Sequence, residues 1–408
     1  MKRVIMFSIL IMLMSSTYAC QNSDNLVFMF DSDMVDFDED ESCVQRVKKE
    51  LKEKWEDDPW DCFFNALGQV IKPSSIVVEE REGMIEVVFS FKEPLITIEY
   101  FPYEFISSVI IPNSVTSIGV EAFSKCESLA SLTIPDSVTS IGDYAFLECK
   151  SLASLTLPNS LTSIGNHAFS ECESLASLTI PDSVTNIGEY AFSECKSLTS
   201  VVISNSVTSI EKYTFSGCKS LTSLTLPNSL TSIGGLAFSG CESLASLTIP
   251  DSVTSIGDHA FSRCKSLTSL AISNSVTSTG VGAFSECESL KSVIIPKSVT
   301  SIDFKTFSGC KTLTSVTIPN SVISIDSFAF SECSSLTSVV IPNSVTSIGA
   351  GAFQGCSSLS SVTIPDSVTT IMTAAFEGCS SLISVVVPNS VTRTGFNIFP
   401  ETTTVIRR

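Results

Sequence analysis

Histidine is nearly missing from this 408-residue chain: His167 and His259 are the only two. No nucleophile–histidine–acid set can be drawn from them, and no glycine-rich phosphate loop is present, so catalysis is not expected. Charge is scarce as well, at 16% of residues, and positive charge scarcer still. Against 43 Asp and Glu stand 24 Lys and Arg, a net charge of −19. A surface of that sign repels phosphate backbones and anionic membranes, which argues against nucleic acid as a partner. Long apolar runs are missing beyond Met14, so no membrane-spanning helix is expected. No cofactor motif is present.

The first twenty residues read as an export signal. Lys2 and Arg3 make the positive start, Val4 to Met14 the apolar run, and Thr17-Tyr18-Ala19 a small-residue cleavage site. Residues 1–19 are therefore expected to be removed, and the chain to be secreted or held at the cell surface. Cys20 follows the cut and is a candidate lipid anchor, as in bacterial lipoproteins. The leucine usual three positions before such a cysteine is absent here, so plain secretion is the competing expectation.

Residues 20–104 form an acidic segment. Between Gln21 and Glu104 there are 21 acidic and 8 basic residues. Ser42 with Gln45 three positions on resembles a capping box and predicts a helix to about Glu56. Ile76 to Glu80 and Met84 to Phe91 predict a hairpin across Arg81-Glu82-Gly83. Leu95 and Tyr100 stand in phase with Ile118 and Phe123, which predicts a degenerate coil ahead of the first regular one. A small α+β cap over the open end of the repeat region is the expected role. Asp31, Asp33, Asp36, Asp38, Glu39 and Asp40 are hard-cation ligands by type, but the run lacks the glycine turn and distal Glu of a calcium loop. A solvated acidic strip is the plainer reading, and no metal site is expected.

From residue 105 to 408 the chain repeats every 23 residues. Phenylalanine recurs at that step from Phe123 to Phe399, cysteine from Cys126 to Cys379, and proline from Pro112 to Pro388 with Ser204 and Ser273 as its only replacements. In the unit that begins at Leu129, Leu132 and Ile134 alternate with Ser131 and Thr133, the pattern of a half-buried strand. Pro135-Asp136-Ser137 predicts a turn, Val138 to Ile141 a second extended segment, and Gly142 a corner. Phe146, Cys149 and Leu152, at intervals of three, fit one tight helical turn facing the core. A unit with three inward edges cannot bury them alone, so about thirteen coils stack into a right-handed, β-rich solenoid. At ~4.8 Å per coil it would be roughly 60 Å long.

The unit resembles the BspA-like leucine-rich repeat, whose pattern runs L-x-x-L-x-I-P-x-S-V-x-x-I-G-x-x-A-F-x-x-C. Departures are local: Glu211, Asp303 and Asp326 replace the corner glycine, and Thr279 and Thr394 the buried isoleucine. The resemblance implies a surface or secreted interaction protein whose partners are extracellular or cell-surface proteins, host matrix or plasma proteins among them. It implies no catalytic residues.

Twelve cysteines belong to the ladder and face the core, where buried free thiols are a better fit than repeated bridges. Cys43 and Cys62 lie outside it and are the candidate disulfide. Binding is expected at phases that vary between coils. The pair before Ala-Phe is the clearest: Tyr144, His167, Tyr190 and Tyr213 would form a stripe of rings, with His259 in the same phase. The bland alternative is that these rings only cover the phenylalanine ladder. A second stripe lies on the strand face at Ser131, Thr133, Ser154, Thr156, Ser177 and Thr179. Its hydroxyl array also admits a structural solenoid that binds glycan or ice, although Val202, Ala271, Ile294, Val340 and Val386 break its regularity. After each cysteine the charge alternates, as in Glu127, Lys150, Glu173 and Lys196, which predicts ion pairs between neighbouring coils.

Overall fold

Alternating apolar and hydroxyl residues make the first strand of each coil, and each strand's partner is the same segment one repeat on. The computed structural model describes residues 106–408 throughout. Upstream it describes the strands β1 (Asn25–Asp31), β2 (Phe63–Phe64), β3 (Ser75–Arg81), β4 (Met84–Ser90) and β5 (Thr97–Ile98). The signal segment, Cys20, the helix expected from Ser42, Cys43, Cys62 and the acidic run beyond Asp31 lie outside the described residues.

The molecule is a parallel β-solenoid of about thirteen turns with two ladders of short strands. The first ladder begins with β6 (Ile106–Ile110), and the second with β5 followed by β7 (Ser117–Ile118). β6 pairs in parallel with β8 (Ser131–Thr133), with Ser108 opposite Ser131, which is the 23-residue register. In β8 Leu132 is buried and Thr133 exposed, as the alternation requires. The hairpin is present: β3 and β4 pair antiparallel with Arg81 opposite Met84. β1 then pairs antiparallel with both β4 and β6, and β2 pairs antiparallel with β5. Each parallel ladder thus starts against an antiparallel strand, which occupies its unpaired backbone edge.

Two expectations need correction. The degenerate coil exists, but Ile98 rather than Leu95 stands opposite Ile118, so its register is three residues shorter than the repeat. No helix occurs among the described residues, and the interval of three at Phe146, Cys149 and Leu152 comes from successive turns instead. Tyr144 (φ 57°) and Glu148 (φ 58°) are both left-handed, and the pattern recurs from coil to coil. In this backbone the N–H groups of Tyr144, Phe146 and Glu148 donate to Asn166, Ala168 and Ser170 of the next coil at 2.7–2.8 Å. A helix would have kept those donors within its own segment. Here they tie coil to coil.

The core runs the length of the solenoid. Rings from Phe123 to Phe399 stack face to face with centroids 5.1–5.7 Å apart. The ladder cysteines are free and buried. From Cys149 to Cys379 each thiol donates to the carbonyl of the preceding coil's phenylalanine, for example Cys241 to Phe215 at 3.4 Å. Burial pushes up the thiols of Cys149, Cys172, Cys218, Cys241, Cys287 and Cys333, and those of Cys195, Cys264 and Cys310 to about 12. Coils approach closely at the corner glycine, where a Cβ on Gly142 would lie 2.7 Å from the carbonyl carbon of Gly119.

Candidate binding surface

The residue just before Ala-Phe is left-handed in every coil from Glu121 to Asn397, with φ between 51° and 60°. Only Gly282 and Gly351 in that row lack a side chain. The scaffold therefore holds Tyr, His, Leu, Lys, Phe, Ala or Asn in one backbone conformation, although non-glycine residues adopt it at a cost of about 1–2 kcal/mol each. The turn geometry and its bonds to the next coil impose this state regardless of the side chain.

Tyr144, His167, Tyr190 and Tyr213 are brought together in one continuous stack. Their centroids are 4.8, 4.3 and 4.2 Å apart and their planes within 12° of parallel. All four are half-buried. Stacking uses up the ring faces, so a partner meets only ring edges, hydroxyls and imidazole nitrogens. Burial lowers the pKa of His167, while Asp143 and Glu189 oppose that shift. Burial, followed by the Tyr213 hydroxyl, raises that of Tyr190. His259 shares the row but not the stack, since Leu236 precedes it and its imidazole lies against Gly282.

The other member of the variable pair is partly structural. Asp143 accepts from the Asn166 N–H at 2.7 Å, Asn166 from Glu189 at 2.9 Å, and Asp258 from Val281 at 2.8 Å. A short polar side chain here caps the next coil's free donor.

On the strand face Ser131, Thr133, Ser177 and Thr179 lie in strands as expected, but Ser154 and Thr156 do not. Residues 154–156 fall out of the ladder, where Leu155 is only partly buried. Val202, Ile294 and Val340 interrupt the same face at 56–71% exposure. The charge alternation forms ion pairs as predicted: Lys150–Glu127 at 2.6 Å, Lys196–Glu173 at 2.8 Å, Lys265–Glu242 at 3.2 Å and Lys311–Glu288 at 3.0 Å. Being exposed and screened by solvent, they contribute little to stability.

Sequence reasoning missed two rows. One is the exposed threonine of V-T-S-I, which recurs from Thr116 to Thr392 with Ile323 as its one replacement. Its hydroxyls donate to the preceding coil, as from Thr162 to the Thr139 carbonyl at 2.9 Å. The other is the residue before each cysteine, left-handed throughout; the glycines at 217, 240, 309, 355 and 378 were its signal. Among the described residues no group of three His, Cys, Asp or Glu is gathered to hold a metal.

The BspA type leucine rich repeat region, taken in six copies, matches residues 95–222, 185–314 and 300–406. Among solved structures, a leucine-rich repeat protein from Bacteroides ovatus is 32% identical with a TM-score of 0.65, and the match covers 83% of this chain and 99% of that one. One from Eubacterium ventriosum is 27% identical, covering 69% of this chain and 88% of that one, with a TM-score of 0.49. A leucine rich cell surface protein from Faecalibacterium prausnitzii is 28% identical, covering 74% and 87%, with a TM-score of 0.40. No curated protein matches the chain. The family pattern spans residues 95–406, and the chain belongs to the BspA-type leucine-rich repeat family.

Proposed function

We propose that this protein is an exported, non-enzymatic binding scaffold that engages extracellular or cell-surface proteins through a multivalent repeat surface. Host matrix or plasma proteins are the partners to test first. The carrying observation is the left-handed corner row, where one backbone geometry presents side chains that differ from coil to coil. Constant backbone with changing side chains is how a solenoid encodes specificity. The stacked Tyr144, His167, Tyr190 and Tyr213 supply a rigid centre with a polar rim, the composition of interface hot spots. The competing use of the strand face, on glycan or ice lattices, needs an unbroken hydroxyl array. Residues 154–156 and the exposed Val202, Ile294 and Val340 interrupt that array.

The test is binding of the purified chain to immobilised matrix, plasma and cell-surface proteins, beside a variant with those four ring residues changed to alanine. Saturable binding to a protein, weakened about tenfold or more in the variant, supports the reading. Binding that the variant leaves unchanged moves the site away from the corner row. Binding to no protein sinks the proposal.

A further inference from the structure

Three of the four replacements of the corner glycine fall toward the C-terminal end. Asp303, Asp326 and Met372 all stand where the corner glycine is expected, and beside them the surface opens into a cleft of about 360 Å³. The cleft is shallow and open to solvent, so a ligand there would lie against the surface rather than be enclosed. Gly349 lines it without a side chain, between Asp326 of the preceding coil and Met372 of the following one. Phe304 lines it too, 39% exposed. Its ring is held in place: Phe328 meets it edge-on at 5.9 Å, and Lys305 Nζ sits 5.2 Å from its centroid.

The acids of this corner phase are not equivalent. Glu211 and Asp303 each accept a hydroxyl from the serine two residues before, Ser209 at 2.7 Å and Ser301 at 2.6 Å. Asp326 has Ser324 at the same spacing but takes no bond from it. Among the described residues its carboxylate has no hydrogen bond or ion pair, and neither has the hydroxyl of Ser347 or Thr370. All three of these residues line the cleft. The cleft therefore combines a fixed aromatic ring and a thioether with one open acceptor and two open hydroxyls. Ser347 and Thr370 stand in the hydroxyl phase of the repeat, whereas Asp326 and Met372 replace its glycine and Phe304 stands where most coils carry a small or polar residue.

We propose that this cleft binds a short neutral or amino-bearing saccharide, independently of the corner row. A sugar ring has an apolar C–H face for Phe304 and Met372, and a rim of hydroxyls that donate to Asp326 and exchange bonds with Ser347 and Thr370. A wholly apolar ligand would leave those polar groups desolvated and unpaired. An acidic sugar would meet the like charge of Asp326 inside the cleft, while the Lys305 ammonium is engaged by the Phe304 and Phe328 rings beside it.

The experiment is a glycan array of neutral, amino and acidic saccharides, probed with the intact chain and with Phe304→Ala and Asp326→Ala. The four-residue corner variant serves as a control. Saturable retention on neutral or amino sugars is expected, reduced at least about tenfold in both cleft variants and unchanged in the corner variant. Equal retention by the cleft variants, retention on acidic sugars alone, or no retention on any saccharide overturns the proposal. Both side chains are at the surface, so circular dichroism and thermal unfolding should match the parent. Asp326→Asn, which keeps the shape and removes the charge, stands in should the alanine variant fail to fold.

Discussion

Two glycines one corner apart separate the forces that shape each coil. A Cβ on Gly257 would lie 2.7 Å from the carbonyl carbon of Gly234 in the preceding coil, closer than real Cβ contacts come. Gly257→Ala must push two coils apart, and overpacking of this kind costs about 1–3 kcal/mol. The penalty is finite because Glu211, Asp303, Asp326 and Met372 occupy the same phase elsewhere. Gly240 is left-handed (φ 73°), but its Cβ would meet nothing nearer than 3.7 Å. Gly240→Ala therefore carries only conformational strain, about 1–2 kcal/mol. Both variants gain about 0.4–1 kcal/mol from the less flexible unfolded chain, which cancels between them. Gly257→Ala should be the more damaging by about 0.5 kcal/mol. Long repeat arrays can open locally, so hydrogen exchange across residues 234–262, followed by mass spectrometry, is a better assay than a global melting curve. Equal loss of protection in the two variants, or a larger loss for Gly240→Ala, would refute the claim that inter-coil contact dictates the corner glycine.

Three further outcomes are expected from the core. Phe238→Ala breaks the ring ladder between Phe215 and Phe261 and should destabilise the surrounding coils by about 3–5 kcal/mol, read as a drop in urea midpoint. Because the native thiols are pushed up toward 12 at Cys195, Cys264 and Cys310, the unfolded chain releases protons first as pH rises through the ordinary value near 9. Stability is therefore fully present below that value and falls between about pH 9 and 12, and iodoacetamide should label the ladder only after unfolding; labelled ladder peptides from the native protein at pH 8 would contradict this. Thr279, buried opposite Ile256 in the second ladder, should accept Thr279→Ile with a gain of about 1–1.5 kcal/mol in urea unfolding, since the change replaces a hydroxyl by a methylene and adds a methyl.

The period of 23, the inward Leu132, Ile141, Phe146 and Cys149, the hairpin of β3 and β4, and the rungs such as Lys150–Glu127 were all legible in the residues. Each depends on spacing alone: in a solenoid, residue i lies beside residue i+23, so a linear pattern states its own contacts. The register of Ile98 was not legible, because the shortened coil lies where the repeat is lost and only backbone pairing with Ser117–Ile118 defines it. Nor was the lapse at residues 154–156, whose letters match those of neighbouring strands.

For the binding surface the division is sharper. The amino-acid sequence by itself determined which phases vary, and so that Tyr144, His167, Tyr190 and Tyr213 share one row. Only the tertiary structure decided that this row is left-handed, that its rings stack and offer edges instead of faces, and that Asp326 faces a cleft unpaired while Asp303 is satisfied. The reason is that periodicity specifies which residues become neighbours. Backbone sign and side-chain direction come from hydrogen bonds between coils, which exist only once the coils are stacked.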